Sequence, residues 1–213
     1  MVKIRYLGHA CFQIVGSNAE VVTDPFTGIG LPDPEAEADL VLCSHGHRDH
    51  SHVGKTAKPG AEVLVGFVGE RTIAGVKVRG IPSYHDDDEG GMRGKNSIYL
   101  FEMDGTRLCH MGDLGHELGE DVLNSLGGVD VLFIPVGGFY TIGPETASEV
   151  ADRISPGMVI PMHYRTPGHG TGFSRLSTVE DFTSLRDQVE RVGREIEVRP
   201  GELPGSVTTM VME

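Results

Sequence analysis

Four short apolar runs of this chain stop at a residue that can bind a metal ion. DLVLCS runs into His45, VRGIPSY into His85, RLCHMG into Asp113 and MVIPM into His163. Short apolar runs bounded by turn residues read as buried strands, so the pattern calls for a fold that aims several strand ends at one cleft. The first of these ends opens the stretch Ser44-His45-Gly46-His47-Arg48-Asp49-His50-Ser51-His52, which holds four of the ten histidines. Neither a core strand nor a helix stripe uses histidine this way. In a tight turn, His45 and His47, which flank a glycine, can reach one ion, while Asp49 and His50 face a neighbouring position. Imidazole and carboxylate suit Zn²⁺, Fe or Mn²⁺, and the absence of a nearby thiolate set argues against a closed structural zinc site.

The remaining pattern is strands first and helices later. Val2–Val15 and Glu20–Thr23 read as a strand pair turning at Gly16-Ser17-Asn18. Strands are expected over 39–43, 62–68, 73–81, 96–102 and 107–111, the last two joined by the hairpin turn Met103-Asp104-Gly105-Thr106. Helices are expected over 116–126, over 144–154, where Pro144 suits a first turn, and over 177–192. In the last, Ser177 can cap with Glu180, and Val179, Phe182, Leu185, Val189 and Val192 share one face. Further strands are expected over 129–134, 158–162, 195–199 and 207–212. This order describes a layered α/β protein with helices outside its sheets, and 213 residues without repeat or linker describe one domain over 1–213.

Composition narrows the function. A net charge of −13 disfavours nucleic acid as a partner. No run of about 18 apolar residues is present to span a membrane, and the N-terminus alternates like a strand rather than a signal peptide. Cys11, Cys43 and Cys109 each sit in a hydrophobic run without metal or redox spacing, which reads as buried free thiols in a reducing, cytoplasmic setting.

The order HxHxDH (His45, His47, Asp49, His50), a later histidine, the step Gly112-Asp113 and a final His163 resembles the metallo-β-lactamase superfamily. YLGHACFQI, VTDPF and IPMHY are similar, more narrowly, to its branch containing the ascorbate-6-phosphate lactonase and related metal-dependent hydrolases. The resemblance runs through nearly the whole chain. It implies a four-layer αβ/βα sandwich with a two-metal site at one edge, most simply Zn²⁺, with Mn²⁺ or Fe as alternatives. By the same resemblance, His45, His47 and His85 hold one ion, Asp49, His50 and His163 the other, and Asp113 bridges them. Paired ions of this kind activate a shared water for attack and stabilise developing charge. The implied activity is hydrolysis of a small ester, lactone or phosphodiester. A nuclease of the same superfamily and a non-catalytic metal-binding protein are the alternatives, and a glyoxalase II reading is disfavoured because its GHT-type motif is replaced here by SYHDD. Oligomers among relatives of this fold make a homo-oligomer an expectation by analogy.

Several residues stay open at this level. His110 rivals His85 as third ligand of the first ion. His9 and Asp24 end early strands and could orient metal ligands, while His52 falls outside the motif. A metal-bound water, Asp49 or Asp113 could handle the proton of the leaving group. The loops 86–95 and 166–172 are expected to wall the substrate site, with Arg93, Lys95 and Arg165 available to an anionic substrate. Gly137-Gly138 marks a tight turn or close backbone approach beside it.

Overall fold

A computed structural model describes residues 1–213. Two sheets face each other. The first orders β13-β1-β2-β3-β4-β5, and the second orders β12-β14-β11-β10-β9-β8-β7-β6. The strands are β1 Val2–Gly8, β2 Cys11–Val15, β3 Glu20–Thr23, β4 Glu35–Cys43, β5 Lys55–Val65, β6 Gly69–Ile73, β7 Val76–Tyr84, β8 Lys95–Met103, β9 Thr106–His110, β10 Val131–Pro135, β11 Met158–Met162, β12 Val189–Val192, β13 Glu195–Val198 and β14 Thr208–Met212. The helices are α1 Arg48–Ser51, α2 Glu120–Leu126, α3 Pro144–Ile154 and α4 Val179–Thr183.

The central strands β10 and β11 are buried along their whole length and run parallel, as near-continuous apolar runs do when both faces are covered. The inner faces of the two sheets share one core, including Ile4, Phe12, Leu40, Tyr99, Phe133 and Ile160. Outside the second sheet, Leu126 of α2, Val150 of α3 and Phe182 of α4 pack on Ile98, Leu132 and Val159. Outside the first sheet, Phe26, Ile29, Leu31 and Val53 cover Val22 and Val41. The expected sandwich is therefore present, but its layer over the first sheet is α1 and loops rather than long helices. No helix is long and apolar enough to cross a membrane.

Four expected elements differ. The single strand over Val2–Val15 breaks into β1 and β2, paired antiparallel, because Gly8 and His9 both take positive φ and reverse the chain. Residues 73–81 belong to two strands, with Ala74-Gly75 as the turn between β6 and β7. The long helix over 177–192 is not formed. Thr178, not Ser177, caps a helix of five residues through Asp181, and Val189–Val192 then pairs in parallel with β14. Leu185 and Val189 of the supposed apolar face are exposed, so tertiary pairing overrides the helical period. The helix expected from His116 begins only at Glu120, because His116 accepts the backbone N–H of Tyr84 and holds that segment against β7.

Candidate metal centre

The four strand ends that stop at a metal-binding residue meet at one edge of the sandwich. His45 and His47 follow β4, Asp49 and His50 lie on α1, His85 follows β7, Asp113 follows β9 and His163 follows β11. Asp113 stands at the middle. Its Oδ2 lies 3.1 Å from Nε2 of His50, 3.1 Å from Nε2 of His85, 3.4 Å from Nε2 of His163 and 4.0 Å from Nε2 of His45. The step before it must be glycine: Gly112 has φ +56°, and a Cβ there would collide with Ser44 and Asn96. Asn96 fixes the turn further, accepting the Asp113 N–H at 3.0 Å and donating to the Met111 carbonyl at 2.9 Å.

Around Asp113 the donors fall into two groups. His45, His47 and His85 form one, with His45 Nε2 and His47 Nδ1 2.9 Å apart. His9, Asp49, His50 and His163 form the other, and His45, His50 and Asp113 join them. Within each group the candidate donor atoms lie within 4.8 Å of one another. His110 belongs to none of these groups. Its Nε2 donates to the Ala10 carbonyl at 3.0 Å and its Nδ1 accepts the Gly112 N–H at 3.1 Å, so it braces the wall behind the site. His52 sits apart, its Nε2 3.9 Å from Asp33.

Asp24 is where an orienting residue would be. Fully buried, it accepts the Ser44 N–H at 2.6 Å, the Ser44 hydroxyl at 2.8 Å and His50 Nδ1–H at 2.9 Å. That last bond puts the His50 proton on Nδ1 and leaves Nε2 facing the cluster. His9 departs from the role expected of it. Its ring makes no orienting hydrogen bond: both ring nitrogens are buried without a hydrogen-bond partner, and its Nε2 lies 4.0 Å from Asp49 Oδ2. It stands among the donors. A signal for this exists in the sequence, since YLG running into His9 repeats the pattern of an apolar run ending in histidine.

The electrostatics prepare these side chains to bind a cation. Burial holds His9 well below the ordinary histidine range and takes His45 down to about 3, and it lowers His47 as well. Each is neutral and offers a lone pair. Burial pushes the Asp113 carboxyl upward, but His163 and His50 outweigh it and keep Asp113 ionised, well below its usual range. Burial would likewise lower His50, yet Asp113 and Asp24 on either side hold it well above. Besides His9, His50 Nε2 and Asp113 Oδ1 are buried without a partner. The neutral imidazoles of His9, His45 and His47, the ionised Asp113 and the unpartnered buried atoms fit divalent ions of the Zn²⁺ class, and His50 would give up its Nε2 proton as an ion binds.

A cleft of about 300 Å³ opens onto this cluster, lined by His47, Asp49, His85, Arg93, Asp113, Tyr140, His163 and Phe173. Of the three cations named from sequence, only Arg93 reaches it. Lys95 is exposed on β8, and Arg165 is exposed with its guanidinium donating to the Ser174 carbonyl. Tyr140 and Phe173 carry no chemical signal in the sequence. They arrive because the segments 137–143 and 166–173 fold over the sheet edge. There the absence of a Cβ at Gly137 lets its backbone press against the His163 carbonyl.

Residues 3–163 match the model of the β-lactamase superfamily domain. A UPF0173 metal-dependent hydrolase of Thermococcus onnurineus is 34% identical, the match covering 78% of this chain and 86% of that one. Another, of Methanoculleus marisnigri, is 33% identical over 93% of this chain and 98% of its own. The crystal structure of a Thermotoga maritima protein, provisionally described as a Zn-dependent hydrolase of the metallo-β-lactamase superfamily, shares 39% identity. It superposes with a TM-score of 0.83, covering 100% of this chain and 99% of that chain. With the donor cluster at the sheet edge and these relatives across most of its length, the chain belongs to the metallo-β-lactamase superfamily, among its metal-dependent hydrolases.

Proposed function

We propose that this protein hydrolyses a small ester, lactone or phosphodiester in the cytoplasm, at a site holding two divalent metal ions, most simply Zn²⁺. The observation that carries the reading is the single Asp113 oxygen lying against imidazoles from both donor groups, which is what a bridging ligand requires. In this reading His45, His47 and His85 hold one ion and His9, Asp49, His50 and His163 the other. The chemistry such ions supply when bound is a water acidified towards neutral pH and a Lewis-acidic contact for a carbonyl or phosphoryl oxygen.

The side chains have distinct tasks. Asp24 fixes His50 in the tautomer that presents Nε2. Asp113 stays ionised and gathers the donors. Asp49, less buried than its neighbours and lining the cleft, is the carboxylate best placed to take a proton from water and return it to a leaving group. Tyr140 and Phe173 supply the aromatic part of the cleft lining. A cleft of about 300 Å³ in a chain of net charge −13 favours a small molecule over RNA.

The test is metal analysis combined with a substrate screen. Protein loaded with Zn²⁺ or Mn²⁺ should carry close to two ions per chain. In a screen of esters, lactones, phosphodiesters, β-lactams and RNA, it should turn over at least one small ester, lactone or phosphodiester. Chelation should abolish that turnover and re-addition restore it. Turnover of RNA alone would favour the nuclease alternative. His47→Ala should lose one ion and Asp113→Ala should impair both. Wild-type metal content in both variants would sink the ligand assignment.

A further inference from the structure

We infer that Arg93 is a specificity-determining residue that receives an anionic group, carboxylate or phosphate, carried by the substrate beside its scissile bond. The inference rests on the proposed hydrolytic function and deepens it by naming the substrate class.

Arg93 is the one cationic side chain lining the cleft. Its guanidinium donates a single hydrogen bond, to the Phe139 carbonyl at 3.1 Å, and lies 5.8 Å above the Tyr140 ring. A guanidinium has five N–H donors in a planar fork suited to carboxylate and phosphate, so most of that fork is unused. No acidic side chain pairs with it at ion-pair distance, and the exposed acids Asp87, Asp88 and Glu89 of its loop do not line the cleft. Asp49 and Asp113 are the only carboxylates in the lining and are committed to the metal donors. The nearby Asp86 carboxylate is taken up by the N–H groups of Asp88, Gly90, Met92 and Arg93 itself. Once Asp49 and Asp113 face divalent ions, the lining carries uncompensated positive charge, which an anionic substrate would balance.

The position is also held rigid. The four bonds to Asp86 fold the 85–94 loop onto itself directly after His85, and the Arg93–Phe139 bond ties that loop to the 137–143 segment. Tyr140 then donates to the Gly172 carbonyl at 3.0 Å, which closes the third side. Three loops are thus cross-linked around the mouth with the guanidinium set between them. An ion-pairing group fixed in this way loses little freedom on binding, which favours recognition by the substrate's charge rather than its bulk.

The test uses matched esters or lactones that differ only in a carboxylate or phosphate near the scissile bond, against wild type, Arg93→Met and Arg93→Lys. A charge-assisted contact of this kind is worth roughly ten- to a hundredfold. The ratio of kcat/KM for charged over neutral substrate should therefore fall by about that factor in Arg93→Met and recover in part in Arg93→Lys. Comparing the carboxylate and phosphate series tells which anion is preferred. An unchanged ratio, or equal loss for charged and neutral substrates, overturns the inference and reduces Arg93 to a brace of its loop. A second arm needs no turnover: calorimetric titration of the metal-loaded proteins with phenylphosphonate and phenylacetate. Weaker binding in Arg93→Met supports the anion site even if no ester is hydrolysed. Equal binding in both proteins, with hydrolysis intact and an unchanged ratio, rejects the anion site and leaves the hydrolytic reading standing.

Discussion

Replacing Asp24 with asparagine should weaken metal binding without removing any metal donor. The carboxylate accepts three hydrogen bonds inside the protein, from the Ser44 N–H, the Ser44 hydroxyl and His50 Nδ1–H. An amide keeps the first on its oxygen, and the Ser44 hydroxyl can rotate to accept from the new NH₂. The His50 bond cannot be kept as it is. The amide nitrogen would donate to Nδ1, which forces the His50 proton onto Nε2 and directs it at Asp113 and the cluster. Loss of an orienting partner of this type costs about 10–100-fold in metal affinity, or roughly 1.4–2.8 kcal/mol. Chelator competition at fixed pH on wild type and Asp24→Asn measures it directly. Heating with and without metal gives an independent value, because ligand stabilisation follows the logarithm of affinity. The difference should appear as a metal-dependent gain in Tm smaller by roughly 3–11 °C. Affinities agreeing within about twofold, with His50 still bound at Nε2, would refute the claim that Asp24 acts by fixing the tautomer.

Three further expectations are open to simple assays. His9→Ala and His9→Gly should both lower metal content at the second position, read by elemental analysis. Glycine should nonetheless melt higher, by about 1 kcal/mol, because position 9 holds φ +55°; equal stability would remove strain from the account. Gly137→Ala drives a Cβ into the His163 carbonyl, so it should cost about 1–3 kcal/mol in a denaturant titration, and a neutral effect would mean that the two loops part easily. Burial pushes the Cys109 thiol up to about 12 and raises Cys11 and Cys43 as well. At pH 8.5, where a free thiol is half ionised, a thiol reagent should find no reactive cysteine in the folded protein and three after denaturation.

The features easiest to read in the sequence are those set by short-range chemistry. The runs ending in His45, His85, Asp113 and His163 are legible because a buried strand needs apolar residues and the turn beyond it frees the next side chain to face the cleft. Pro144 marks the start of α3, and Asp104-Gly105 marks a hairpin, for equally local reasons. The elements that escape such reading depend on distant partners. The apolar spacing over 177–192 favours a helix until β14 offers Val189–Val192 a backbone to pair with. The turn at His9 is hidden inside the alternating run Val2–Val15, and only the positive φ at Gly8 and His9 shows that the chain reverses there. Tyr140 and Phe173 cannot be found from spacing, since they reach the cleft only through cross-links between loops far apart in sequence.

The backbone itself distinguishes this edge of the sandwich from the rest of the molecule. Eight residues other than glycine take positive φ, and His9, Asp24, His163 and Phe139 all border the site. Ala74 and Asp104 lie in hairpin turns and Ser155 caps α3, places where left-handed residues occur for local reasons. His9 too lies in a hairpin turn, between β1 and β2, whereas His163 follows β11 outside any hairpin turn or helix cap. Each costs of the order of 1–2 kcal/mol in that conformation, and glycine would relieve it. The arrangement survives because the strained positions support each other, with the His163 N–H donating to the His9 carbonyl at 3.1 Å. The strain also turns the side chains so that both imidazoles, 4.1 Å apart between ring centres, face the Asp49 and Asp113 carboxylates. Side chains on an unbroken strand alternate between faces, so β1 continuing straight into β2 would place position 9 by that alternation rather than at the strand end. The reversal at Gly8-His9 breaks local rules for strand formation and, in doing so, supplies the second donor group with a histidine that the HxHxDH stretch does not contain.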